Sequence, residues 1–390
     1  MVSAGALLHP GLVIIVAGMA LALLRGRARA AVALIAPLVA LWLVLSMPEG
    51  AAWSGQWLGL DIAPLAMDRL SRVFATVFCI MVFGGALFAL GQPSRLELPA
   101  AFVYAGSAVG ATLAGDLITL FVFWELMAIA STLVLWSAGT AGAWQASRRY
   151  LGVHLLGGVL LLAGIAGHVA ATGSTAFVRF DLSSTAQWLI LAGFLINAGA
   201  PPLSAWLPDA YPEASWSGTV FLSAFTTKTA VYVLLRGFPG TEVLIWVGLF
   251  MVFYGIVYAL LENDMRRILA YSIINQVGFM IVGIGIGTEM ALNGAAAHAF
   301  THILYKALLL MSAGSVLYAT DRRKCTDLGG LFRTMPLTAI CGTIGALAIS
   351  SFPLTSGFIS KSMIAQAASD QHLLWIWLGL AAASAGVFLH

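Results

Sequence analysis

Apolar blocks, each of helix length, follow one another along the whole chain with only short polar connections between them. That pattern constrains the fold before any motif is weighed. A bilayer core needs about 20 predominantly apolar residues per helix. A span must also satisfy its own backbone hydrogen bonds, which a helix does. The blocks fall at roughly 8–24, 30–47, 67–90, 99–114, 117–137, 147–171, 186–204, 216–236, 242–261, 267–287, 290–319, 336–365 and 372–389. Only 9% of the 390 residues are charged, against about 25% in a soluble globular chain, so charge is too scarce to cover a water-facing surface. The expected class is an all-α polytopic membrane protein of about 13 transmembrane helices. No soluble domain, linker or low-complexity tract interrupts them.

Cys79, Cys325 and Cys341 form no CxxC pair, which argues against an iron–sulfur site and a disulfide framework and reads as small apolar filler. Arg25, Arg27 and Arg29 follow the first block instead of preceding it, unlike a signal peptide. The connections after blocks 1, 3, 5, 9 and 11 hold 12 of the 19 basic residues. The positive-inside rule puts those connections in the cytoplasm and the N-terminus outside, in a multi-pass inner-membrane topology. The connection after block 7 dissents, with Asp209, Glu213 and no base, but acids count little in this rule.

The most informative residues lie where charge is expensive. Lys228, Lys306 and Lys361 fall inside apolar blocks, and the chain has only one other lysine, Lys324. Arginine stays in loops or near helix ends. A buried lysine exchanges its proton readily; a guanidinium does not. Glu125 is the acid in the middle of a block, and His298, His302 and Lys306 recur at steps of four on one helix face. Intramembrane ionisable residues mark ion paths by default. Plainer readings stay open. Glu125 can be a neutral structural acid, Lys228 and Lys361 can snorkel to an interface, and His298 with His302 can bind a metal. Against the metal, Lys306 continues the same face and no carboxylate is nearby, so no metal and no cofactor are expected. His154 and His168 stand alone on block 6 and read as structural.

Block 7 contains Asn197-Ala-Gly-Ala-Pro201-Pro202-Leu-Ser-Ala, and block 12 contains Ser350-Ser-Phe-Pro353-Leu-Thr-Ser-Gly. Unwound backbone at membrane depth is tolerated only inside protein or beside water. Matched broken helices point to an inverted-repeat transporter. Units at 1–98 (blocks 1–3), 99–240 (blocks 4–8) and 241–390 (blocks 9–13) follow, the two five-helix units being of opposite orientation.

The stretches WLPDAYPEAS (206–215), FLSAFTTKTAVYVLLRGFPG (221–240), DMRRILAYSIINQVGFM (264–280), HAFTHILYKALLLMSAGSVLYA (298–319) and FPLTSGFISKSMI (352–364) resemble the family shared by Mrp-type cation/proton antiporters and NADH:quinone oxidoreductase. The second stretch is most similar to the Mrp side of that family. The resemblance implies two inverted five-helix repeats in a 14-helix fold. It also implies a proton relay through Glu125, Lys228, His298, His302, Lys306 and Lys361. It implies a membrane subunit of a multisubunit complex exchanging protons for sodium or another monovalent cation, with no nucleic-acid partner. The alternatives are a proton-pumping subunit of a redox complex and a non-conducting structural subunit. The family usually carries a lysine where this chain has Asn197. Glu125 is then expected to be harder to ionise or to pair with Lys228; sodium at Glu125 and Asn197 is another reading. The chain ends at His390, which leaves out the family's last helix.

Overall fold

The computed structural model describes residues 8–50 and 52–389. The helices are α1 (Pro10–Leu23), α2 (Gly26–Ser46), α3 (Arg69–Phe88), α4 (Glu97–Leu113), α5 (Leu117–Trp136), α6 (Ala141–Thr172), α7 (Thr185–Ala198), α8 (Trp206–Ala210), α9 (Gly218–Ala224), α10 (Thr226–Gly237), α11 (Val243–Leu261), α12 (Met265–Ile286), α13 (Glu289–Thr320), α14 (Leu331–Thr334), α15 (Pro336–Ile349), α16 (Ser356–Asp370) and α17 (Leu374–Gly386). Among the described residues, eight spans are long and apolar enough to cross a membrane: α2, α3, α5, α6, α9 with α10, α11, α12 and α13. Of the remaining expected blocks, α1, α7, α15 and α17 stop early or run into a break, while α4 runs the length expected. The outer surface is apolar, with Trp42 66% and Val159 64% exposed, as a lipid-facing bundle requires.

The connection after α2 departs from the all-helical expectation. It folds as a hairpin, β1 (Ala52–Trp57) with β2 (Leu60–Ala66), antiparallel. Leu58 and Gly59 both have positive φ, which suits a turn that follows the strands' right-handed twist. The hairpin is tied to the bundle by Ala63 N–H donating to Asp116 Oδ2 at 2.8 Å and Gly115 N–H donating to Ala63 O at 2.9 Å. The other Asp116 oxygen caps α5 by accepting from Ile118 and Thr119, which satisfies amides a helix start leaves free. Arg236 at the end of α10 reaches Asp68, the cap of α3. Burial raises the Asp68 carboxyl, but the Ser71 amide and Arg236 outweigh it and hold it below its usual value.

Three helices are interrupted at depth. α7 ends at Ala198 with Gly199 left-handed, and helix resumes at Trp206, whose indole donates at 3.0 Å to the Ile196 carbonyl that the Gly199 amide also caps. α15 ends at Ile349 and α16 starts at Ser356, so the break takes in the six residues 350–355, not Pro353 alone. The third break separates α9 from α10 at Phe225 (φ −107, ψ −65), inside a block that reads as one continuous helix.

Small residues set the tightest crossings. A Cβ on Gly11 of α1 would stand 2.7 Å from Gly106 O of α4, and a Cβ on Gly106 would meet Gly11 O at the same distance. Gly248 of α11 and Gly278 of α12 repeat this reciprocal arrangement, again at 2.7 Å. Membrane helices lack a hydrophobic drive to associate, so close backbone approach supplies the contact.

The acid-bearing connection after α7 belongs with the basic loops. Asp209 pairs with Arg149 at 2.7 Å, and Glu213 with Arg323 at 3.1 Å, while Arg323 also holds Asp264 at 2.9 Å. The dissenting acids therefore meet arginines of the connections expected on their own side.

Candidate functional site

Lys228, His298, His302 and Lys306 are wholly buried, and Lys361 is 4% exposed. Snorkelling to an interface is thereby ruled out for Lys228 and Lys361. Two of the amines are served by backbone that the breaks release. Lys228 Nζ donates to Ser223 O at 2.7 Å and to Thr227 Oγ1 at 3.0 Å. The irregular backbone at Phe225 leaves the Ser223 carbonyl free for this contact. Lys361 Nζ donates to the carbonyl of Ile349, the last residue of α15, at 3.0 Å. It also sits 4.9 Å from the centre of the Phe279 ring, a cation–π distance. Unwound carbonyls acting as cation ligands are how broken membrane helices build sites.

α13 carries the central row. His298 is held at both ring nitrogens, by Ser360 Oγ of α16 at 2.8 Å and Gln276 Oε1 of α12 at 3.1 Å. Tyr305 donates to the same Gln276 oxygen at 3.3 Å. Lys306 donates to Ser272 Oγ of α12. His302 lies between them with neither ring nitrogen partnered; its ring is 6.0 Å from His298 and 5.3 Å from Tyr305. α10 packs against α13, and Lys228 is the charged neighbour bearing on both His302 and Lys306. Among the described residues none of the three buried lysines has an acid within 4.0 Å. Their oxygen partners are all neutral.

Glu125 stands apart from this row. The expected pairing with Lys228 does not form. The half-buried carboxyl lies against Gly158 of α6, where a Cβ would meet Oε1 at 2.2 Å. Nearby, Asn197 of α7 is hydrogen-bonded to His154 Nδ1 at 2.8 Å. His154 is packed between Tyr150 and Trp206, with ring centres 4.0 and 4.7 Å away. The structure thus brings together Lys228, His298, His302, Lys306 and Lys361, and groups Glu125 and Asn197 with a histidine that reads from sequence as isolated. Gln276, Ser272 and Ser360, the row's polar partners, carry no sequence signal beyond being polar inside apolar blocks.

A second feature escapes the sequence reading. Glu97, at the first position of α4, is fully buried. It accepts from Ser215 Oγ at 2.6 Å, from Ser217 Oγ, and from Gln92 Nε2 at 3.3 Å. It thereby ties α4 to the connection between α8 and α9, whose residues 212–216 line an open cavity of about 710 Å³. Glu97→Ala removes the shared acceptor of the Ser215 and Ser217 hydroxyls. It is expected to destabilise the protein by about 2–4 kcal/mol, read as a lower thermal midpoint and faster proteolysis of the 211–217 connection. An unchanged midpoint would show that this carboxylate is not an anchor.

Bilayer-length helices, broken where buried amines sit, define a polytopic membrane protein of the antiporter-like class. The chain belongs to the NADH:quinone oxidoreductase/Mrp antiporter transmembrane family, which it matches over residues 114–387. It is 32% identical to the D subunit of the Na(+)/H(+) antiporter of Alkalihalophilus pseudofirmus over 78% of this chain and 68% of that protein. It is 28% identical to the M subunit of the NADH-quinone oxidoreductase of Pseudomonas aeruginosa, covering 79% of this chain and 66% of that one. Its fold superposes on a chain of the Mrp complex from Dietzia with a TM-score of 0.83, at 25% identity, over 98% of this chain and 74% of the other.

Proposed function

We propose that the chain relays protons as a membrane subunit of a multisubunit monovalent cation/proton antiporter, with sodium as the exchanged cation. The observation that carries this reading is the buried row Lys228, His302, His298, Lys306, together with Lys361. Each amine is solvated by neutral oxygens only, so no fixed negative charge ties a proton to any one of them. Imidazole is the side chain best suited to pass protons near neutral pH, and two lie within the row. Protons enter near the α7 and α9–α10 breaks, move from Lys228 to the α13 row, and leave past Lys361. In this reading residues 99–240 and 241–390 act as two antiporter-like units behind the helices of residues 1–98. The bundle lies in the inner membrane with its arginine-rich face in the cytoplasm and its N-terminus outside.

A second reading, a proton-pumping subunit of a redox-driven complex, draws support from the similarity to the NADH-quinone oxidoreductase protein. One experiment separates them. The chain is reconstituted with its genomic neighbours in vesicles, a sodium gradient is imposed, and internal pH is followed for wild type and Lys228→Ala. A sodium-driven pH change that Lys228→Ala removes supports the antiporter. No sodium response, but a pH change on adding an electron donor, supports the redox-driven pump. Silence in both from assembled protein would leave a purely structural role.

A further inference from the structure

We propose that His154 is a proton-exchanging residue of the first half of the bundle, working with Glu125 and held in position by Asn197. This deepens the relay reading above and rests on it. Three buried atoms of these three side chains have no hydrogen-bond partner: Nε2 of His154, Oε1 of Glu125 and Nδ2 of Asn197. The first two belong to side chains packed on the same stretch of α6. A Cβ at Gly158 would stand 2.2 Å from Glu125 Oε1 and 2.8 Å from its carboxyl carbon, so the missing side chain is what admits the carboxyl. His154 lies four residues before Gly158, one turn away on the same helix face. Carboxyl and imidazole therefore stand along the same face of α6 without bonding each other, so a proton would pass between them through water.

Asn197 sets the histidine's form. Its Oδ1 stands 2.8 Å from His154 Nδ1. An amide oxygen only accepts, so Nδ1 carries the hydrogen and Nε2 keeps a lone pair, the form that can take up a proton. Asn197 is thus a positioning residue. The titratable group packed on His154 is Tyr150 from its own helix, and Glu125 of α5 lies one turn along at Gly158. From α7 comes Asn197 and from α8 Trp206, with Tyr211 behind Trp206 at 5.7 Å. The Arg149–Asp209 pair lies at the exposed end of the same packing. An acid and a base whose free atoms are both buried and unpartnered can pass one proton between them without leaving a net charge in the apolar interior.

A histidine that merely fills the space between Tyr150 and Trp206 predicts that His154→Gln works. Proton exchange predicts that it does not. In vesicles carrying the assembled complex, His154→Gln is expected to slow the sodium-driven pH change about tenfold or more. Adding Asn197→Lys returns a titratable group where the imidazole's partner stands, and is expected to recover most of the rate. An independent readout is nitrogen NMR of the full chain with labelled histidine. His154 is expected to show a protonated Nδ1 and a bare Nε2, to take a second proton as pH falls, and to change its resonances in Glu125→Gln and in Gly158→Ala. Wild-type transport from His154→Gln, in vesicles where Lys306→Ala is silent, overturns the proposal. So do His154 resonances that ignore both neighbouring substitutions. If wild-type vesicles themselves give no pH response, the relay reading fails, and the resonances still decide whether His154 exchanges protons beside Glu125.

Discussion

Lys306→Ala is expected to remove the sodium-driven pH change from vesicles carrying the assembled complex, by about a hundredfold or more. The size follows from the geometry of α13. Lys306 closes the His298–His302–Lys306 face, is wholly buried, and faces Lys228 across the α10–α13 contact. Neither ring nitrogen of His302 has a hydrogen-bond partner that could take over the proton, so deleting the amine is expected to leave no parallel route. The fold is expected to survive. Ser272 keeps its bond to Leu269 O at 3.1 Å, and alanine is the best helix former. Lys306→Arg is expected to be equally silent, since a guanidinium keeps its charge and cannot exchange its proton in this range. Internal pH, reported by a trapped dye under an imposed sodium gradient, is the measurement. Wild-type rates from correctly inserted Lys306→Ala would sink the proposed row.

Gly248→Val is expected to prevent α11 and α12 from seating. The new Cβ would stand 2.7 Å from both Gly278 O and Val282 N. Both are backbone atoms, so no rotamer change relieves the contact and one helix must move. Overpacking of this kind costs about 1–3 kcal/mol and sometimes more, and here it strikes beneath the Gln276 and Ser272 partners of the central row. Gly278→Val strains the same contact from the other side, so the double variant is expected to cost less than the sum. Gly152→Ala is the control, because a Cβ there meets nothing within 4 Å. It is expected to be neutral or slightly stabilising, by about 1 kcal/mol at most. Thermal unfolding in detergent, followed by circular dichroism, reads all of these. A Gly248→Val midpoint equal to wild type would mean the helices do not cross at this distance.

The sequence carries its strongest information where chemistry and environment conflict. Three lysines inside apolar blocks stand out because nothing about packing calls for them, and the four-residue steps of His298, His302 and Lys306 place all three on one face. What contacts them is a different matter. Ser272, Gln276 and Ser360 become partners through the crossing of α12, α13 and α16, which periodicity within one helix does not encode. His154 reads as solitary because Asn197 is 43 residues away and Glu125 lies on a neighbouring helix. The break at Phe225 has no proline or glycine to announce it, unlike those near Pro201, Pro202 and Pro353. The hairpin at residues 52–66 hides in a connection whose length is explained equally well by a loop. The Glu125–Lys228 pair is one of two outcomes the resemblance implies once Asn197 replaces the usual lysine; in the structure the carboxyl lies against Gly158 instead.

The carbonyls that serve Lys228 and Lys361 have a consequence for how this site can be dissected and how it can vary. They belong to the main chain at Ser223 and Ile349, so no change of side chain at those positions deletes them. A mutational scan will find the amine half of each pair and pass over the acceptor half, returning tolerant results at two positions that contact the buried amines directly. Inherited variation meets the same asymmetry: drift at Ser223 and Ile349 leaves the acceptor in place. Exposing it takes chemistry outside the genetic code, such as replacing one peptide linkage with an ester to weaken the oxygen as an acceptor.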